Sequence, residues 1–245
     1  MPYDFRSKRL FVRADLGGGA EIETEPAQVN YLLYVLRLRS GDAILLFNGR
    51  DGEWRARLVA PTRKAAALIV ESQTREQTTP PDLHYLFAPL KNARLDYVVE
   101  KAVEMGVGRL RPVFTRRTQA HRVNLKRMQA NAIEAAEQCG ILSVPAIEAP
   151  LPLGEVLDGW EAGRRLIFCD EGAPTASPPE AMRRVEQGPA ALLIGPEGGF
   201  CDEERADLLA RPFVTALSLG PRILRADTAA VAALALVQTF IGDWR

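Results

Sequence analysis

The chain has 245 residues, and its 31 Lys and Arg balance 31 Asp and Glu, for a formal charge of zero at pH 7. That argues against a general polyanion binder held by bulk charge. Apolar residues at 47% and charged residues at 25% exclude a disordered or fibrous chain and leave room for one large domain or two ordinary ones.

Taken in order, residues 1–6 lack the apolar core of a signal peptide, so a cytoplasmic protein is expected. Short strand patterns follow at 9–12, 43–47, 53–58 and 66–71, and a helical pattern spans 26–38. Gly17-Gly18-Gly19 and Asn48-Gly49-Arg50-Asp51-Gly52 separate them as turns. A small β-barrel over residues 1–75 is the expectation. This part carries 12 basic against 9 acidic residues, and Arg9 near one edge is a candidate RNA contact.

Residues 76–82 include Pro80-Pro81 and few apolar side chains, which marks a linker. From 83 to 245 strands and helices alternate. Strands are expected at 84–90, 110–114, 165–169, 190–194 and 214–219, and helices at 93–105, 125–139 and 229–240. Alternation of this kind predicts an α/β domain, a parallel sheet with helices on both faces. Residues 109–127 hold seven basic residues and no acid. Arg116, Arg117 and Arg122 in this run suit RNA phosphates, although a solvated face reads equally well. His84 falls in a strand and reads as structural; His121 joins the basic loop.

The densest signal is LLIGPEGGF at 192–200, where an apolar strand stops at Gly195-Pro196 and passes Gly198 and Gly199. Asp202 follows as an expected helix N-cap, with Glu203 and Glu204 in the first turn. A second strand, glycine loop and helix come at 214–230, around Gly220-Pro221. Ligands of open α/β sheets bind at such strand ends. The loop is not a Walker A loop, because no Gly-Lys-Ser/Thr follows the glycines, and its spacing is not G-x-G-x-x-G. Glu197 inside it would repel a phosphate, so a ligand with hydrogen-bonding edges and positive charge fits better. Cys139, Cys169 and Cys201 are far apart with no C-x-x-C, so reduced thiols and no metal site are expected.

LLIGPEGGF followed by LSLGPRILRADTAA at 217–230 resembles the SPOUT methyltransferases, and more closely the RsmE-type family, which methylates N3 of a uridine in small-subunit ribosomal RNA. Leu38-Arg39-Ser40-Gly41-Asp42, residues 100–107 (EKAVEMGV) and Ala136-Glu137-Gln138-Cys139-Gly140 agree with it. The resemblance implies a PUA-like RNA-binding barrel before a SPOUT domain with a carboxyl-terminal trefoil knot. It also implies S-adenosylmethionine as cofactor, small-subunit ribosomal RNA as partner in the assembled subunit, and a homodimer completed by the last helix. The cofactor would lie on Leu193, Ile194, Gly195, Pro196, Glu197 and Gly198 together with Leu217, Ser218, Leu219, Gly220, Ile223 and Leu224. Arg225 and Asp227 are the catalytic candidates, the first to steady charge on a uracil carbonyl, the second to take a proton. Ile223 and Leu224 are expected to wedge against the sheet and aim Arg225. The chain departs from the family at Ile141, where Arg is usual, at Asn30-Tyr31, where His is common, and at Asp227, where Glu is frequent. Two other readings remain at this stage: a non-catalytic RNA-binding or ribosome-assembly protein, and an enzyme acting on a small molecule.

Overall fold

A computed structural model describes residues 6–62, 65–91, 93–173 and 177–244. The chain divides into two compact units, Met1–Thr79 with Ala136–Val144, and Pro80–Ala135 with Pro145–Arg245. Residues 136–144, where periodicity placed the end of a helix of the second domain, thus count with the first unit.

The first unit holds a five-stranded sheet in the order β1-β3-β4-β5-β2, made of β1 (Arg9–Phe11), β2 (Glu21–Glu23), β3 (Ala43–Phe47), β4 (Glu53–Thr62) and β5 (Ala65–Arg75). β2 is too short to leave a periodic signal. The expected 26–38 helix is a single α turn, α1 (Pro26–Asn30), continued by a π-helical turn over Tyr31–Val35. There Leu36 N–H donates to the Tyr31 carbonyl at 2.8 Å, five residues back. Leu32, Leu46, Leu58 and Leu68 are fully buried and form the core. Burial of each such side chain contributes roughly 1.5–3 kcal/mol.

Arg9, expected near a surface edge, is instead buried in the first unit. Its guanidinium Nε donates to Glu53 Oε2 at 2.9 Å, and both side chains are about 2–3% exposed. Arg75 and the Thr74 hydroxyl also donate to Glu53. Burial pushes the Glu53 carboxyl up, but hydrogen bonds from Arg75, Thr74 and Arg9 outweigh it and hold the group below its usual range. A carboxylate taken out of water needs such partners, and Arg9 is one of them.

The second unit is built on a sheet of order β12-β10-β11-β6-β7-β8, parallel throughout. Its strands are β6 (Leu83–Phe87), β7 (Arg109–Phe114), β8 (Ala146–Ile147), β10 (Arg165–Cys169), β11 (Ala190–Ile194) and β12 (Val214–Leu217), and the two-residue β9 (Leu151–Pro152) pairs with β7 alone. Every residue of β6 and β11 is buried, as a sheet covered on both faces requires. Leu86, Leu166, Phe168, Ala191 and Leu193 turn to one face. There they pack with Leu153, Val156 and Leu157 of α4 (Leu153–Asp158) and Leu208 of α6 (Asp202–Ala210). The alternate residues Tyr85, Phe87, Ile167 and Leu192 turn to the other face. On that side α7 (Ala226–Phe240) packs against β11 and α2 (Ala93–Glu104). Two helices complete the unit, α3 (Leu125–Cys139), whose last turn counts with the first unit, and α5 (Pro178–Arg183).

Candidate functional site

The register decides where the site lies. Cys169 of β10 is level with Leu217 of β12, and Phe168 is level with Leu193 of β11. The three strands therefore end at one height, and the loops after them meet. They enclose a cavity of about 750 Å³, within the range that holds a cofactor-sized ligand.

Ten of the twelve residues expected around the cofactor line this cavity: Ile194, Gly195, Pro196 and Glu197 from the first loop, and Leu217, Ser218, Leu219, Gly220, Ile223 and Leu224 from the second. Leu193 does not, because it points into the core and is wholly buried. Gly198 does not either; its carbonyl accepts a hydrogen bond from Arg117 at 2.9 Å. Gly220 has φ +105° and open space where a Cβ would sit, a backbone that only glycine adopts without strain. Gly195 is constrained differently. A Cβ there would lie 2.4 Å from the Phe200 ring, which itself packs edge-on against Phe168 at 5.0 Å.

The loop after β10 was missed in the sequence, although its strand was placed correctly. Cys169, Asp170, Glu171, Gly172 and Ala173 all line the cavity. Asp170 is 4% exposed. Its carboxylate accepts from Arg205 Nε at 3.0 Å and from the Gly172 N–H at 3.0 Å, which fixes the loop. Asp-Glu-Gly after an apolar strand was the available signal, but only the sheet order puts β10 between β11 and β12.

Helix starts differ from expectation. α6 is capped by Cys201, one residue before Asp202, and Glu204 reaches back to the Cys201 N–H at 3.2 Å. α7 is capped by Arg225, which puts Asp227 inside the first turn, where its carboxylate accepts the Thr228 N–H at 2.8 Å. Asp227 is not among the residues lining the cavity, whereas Arg225 is. Neither Arg225 nor Arg222 makes a side-chain hydrogen bond or ion pair with any described residue. Nor does Ile223 wedge against the sheet. It is 89% exposed, since the loop turns it outward while Leu224 is half-buried.

The basic run does not act as one surface. Arg109 and Arg111 pair with Glu148, Arg127 pairs with Asp96, and Arg116 lies 3.5 Å from Glu203. Arg117 joins the cavity wall, and Arg122 stays exposed. Glu197 forms an ion pair with Arg94, another wall residue absent from the expected set. The wall thus carries Asp170, Glu171, Glu197 and Asp202 against Arg94, Arg117, Arg205, Arg222 and Arg225. Both a cationic ligand and an anionic one find partners there.

Comparison with known proteins bears on the same segments. Residues 77–238 match the model of the RNA methyltransferase domain family, and residues 24–71 match that of the RNA methyltransferase PUA domain. A ribosomal RNA small subunit methyltransferase E from Synechocystis sp. is 31% identical over 240 residues, covering 95% of this chain and 78% of its own. Among solved structures, a ribosomal RNA small subunit methyltransferase E from Neisseria gonorrhoeae, bound to S-adenosyl methionine, is similar with TM-score 0.85 and 28% identity, over 98% of this chain and 100% of that one. A Legionella pneumophila methyltransferase in complex with the cofactor SAM is similar with TM-score 0.86 and 30% identity, over 97% and 99%.

Proposed function

The chain belongs to the ribosomal RNA small subunit methyltransferase E family, and from that premise we propose that its strand-end cavity holds S-adenosylmethionine and that the protein methylates small-subunit ribosomal RNA. The observation that carries this is the meeting of three loops at the carboxyl ends of adjacent parallel strands, with Arg222 and Arg225 on the wall, neither paired with any described residue.

The residues present fit the cofactor. The volume suffices, Gly220 leaves backbone open to the cavity, and Asp170, Glu171 and Glu197 offer carboxylates to a cationic ligand. When bound, S-adenosylmethionine supplies an electrophilic methyl group. The loop backbones at 194–197 and 217–224 would hold the ligand's edges, and Phe200 keeps one wall apolar.

The acceptor is proposed to be N3 of a uridine, an imide nitrogen that attacks once its proton has passed to solvent water. Arg225 supports that step. Its guanidinium stands at the amino end of the 15-residue α7, where the helix dipole adds to its positive field. Negative charge growing on a uracil carbonyl is stabilised there more than the neutral base is. Asp227, turned off the cavity wall, serves this reading as the first-turn anion rather than as proton acceptor. A trefoil knot, a homodimer completed at α7, recognition of the assembled subunit and a cytoplasmic location belong to the same proposal. Among the described residues no helix is long and apolar enough to cross a membrane.

The test is transfer of labelled methyl from S-adenosylmethionine to unmodified small subunits, to their naked RNA and to free uridine, with the product mapped by mass spectrometry. Modification at one uridine N3 in the subunit is expected. Cofactor binding without transfer to any RNA would make this a binding protein instead.

A further inference from the structure

The carboxylates on the cavity wall are not equivalent. Glu197 forms an ion pair with Arg94, and Asp170 accepts from Arg205 Nε and from the Gly172 N–H, both at 3.0 Å. Asp202 opens α6 beside the charge of Arg205. Glu171, on the loop after β10, is different. It lines the cavity and is exposed, and its carboxylate makes no hydrogen bond or ion pair with any described residue.

Its position is nevertheless defined. The side chain reaches across to the loop after β11, where a Cβ added to Gly199 would lie 2.8 Å from Glu171 Oε1. Gly199 thus serves twice: it takes φ +67°, and its bare Cα leaves room for that oxygen. The Gly199 N–H does not hold the carboxylate, since it donates to the Pro196 carbonyl at 2.9 Å. What remains is an anion set between two of the loops that enclose the cavity, with no cation of its own among the described residues. A positive group on a ligand would complete it with a charge-assisted hydrogen bond.

We propose that Glu171 binds the α-ammonium of the cofactor's amino-acid tail. This rests on the reading of the cavity as an S-adenosylmethionine site and names the side chain that reads the tail. The cofactor carries two positive groups, the sulfonium and the ammonium, and the chemistry separates them. A carboxylate against the sulfonium would attract it before transfer and lose that attraction as the methyl leaves and the sulfur becomes neutral. The ground state would then be favoured over the transition state, and the reaction slowed. The ammonium keeps its charge throughout, so a carboxylate placed on it raises no barrier. Glu171 therefore fixes the tail and stays clear of the reacting sulfur.

Calorimetry on wild type and Glu171→Gln with three ligands tests this. S-adenosylmethionine carries both positive groups, S-adenosylhomocysteine keeps the ammonium but has a neutral sulfur, and methylthioadenosine has neither. Glutamine keeps the shape and removes the charge, so the melting temperature should stay at the wild-type value. The variant should bind the first two ligands about tenfold more weakly, by the same factor, and the third as wild type does. Unchanged affinity for S-adenosylmethionine would overturn the proposal and leave Glu171 a solvated charge. A loss confined to S-adenosylmethionine would overturn it by putting the carboxylate on the sulfonium. An equal loss for all three ligands, or a marked fall in melting temperature, would overturn it by making the side chain a support of the loop. Wild type that binds none of the three would overturn the cofactor reading itself. Wild type that binds all three, beside a variant giving any of the adverse results, would overturn this assignment alone.

Discussion

Arg225 caps α7 with its side chain on the cavity wall and paired with no described residue, so its loss should fall on turnover more than on folding. Arg225→Lys keeps the charge but loses the planar fork. Both Arg225→Lys and Arg225→Ala should lower kcat by about 10²-fold or more while cofactor affinity holds. A lysine variant with near-normal turnover would move Arg225 to a structural role. The two loop glycines should fail for different reasons. In Gly195→Val the new side chain meets the Phe200 ring and must displace it from Phe168; in Gly220→Val the backbone itself has to change, since φ +105° is closed to valine. Calorimetry should show cofactor affinity reduced at least about tenfold in each, with the circular dichroism of a folded protein. Wild-type affinity in either variant would remove backbone grip as the explanation.

At the scale of elements, α7 is apolar except near its ends, yet Gln238 is fully buried. Its amide donates to the Met105 carbonyl past the end of α2, and its oxygen accepts the Asp243 N–H at 3.0 Å. One side chain thus joins α2 to the chain that leaves α7. Gln238→Leu would strand both groups and should cost about 1–3 kcal/mol in denaturant titration; no measurable loss would show that water replaces the amide. The basic run after β7 is an element with divided labour. Neutralising Arg116, Arg117 and Arg122 together should weaken RNA binding and reduce the salt slope by about two rather than three, because Arg116 already faces Glu203. An unchanged slope would leave the run as a solvated face.

For the whole molecule, the buried end of the sheet opposite the cavity makes stability depend on pH. His84 of β6 is 8% exposed at its side chain, with Nδ1 lacking a hydrogen-bond partner among the described residues. Burial first, then the charges of Arg164 and Arg109, push its pKa down from 6.5 to about 4. Above pH 6.5 the imidazole is neutral in both folded and unfolded chains. As pH falls from 6.5 towards 4 the unfolded chain takes up a proton that the folded one refuses, so stability drops, by roughly 2–3 kcal/mol in all. Denaturation midpoints measured across this window should fall with pH. In His84→Leu the fall should flatten; if it stayed as steep, other groups would be its source.

Five strands of the second unit were legible because they are apolar runs, and its longer helices because they carry apolar faces at helical spacing; β8, β9 and α4, of two, two and six residues, were too short to leave a periodic signal. Both glycine loops were legible too, since a strand that ends in glycine and proline before an acidic helix start is a local pattern. Whatever depended on neighbours distant in sequence was not legible. Arg9 looked like one more surface cation, and only the folded sheet brings Glu53 to within 2.9 Å of it. The loop after β10 became part of the site because the strand order is β12-β10-β11, which no periodicity encodes. Ile223 was expected inward and stands outward, for a loop's direction follows from what it packs against. Local chemistry settled the longer elements of this protein; proximity, and with it the wall of the cavity and the partners of each charge, came only from the way the sheet was assembled.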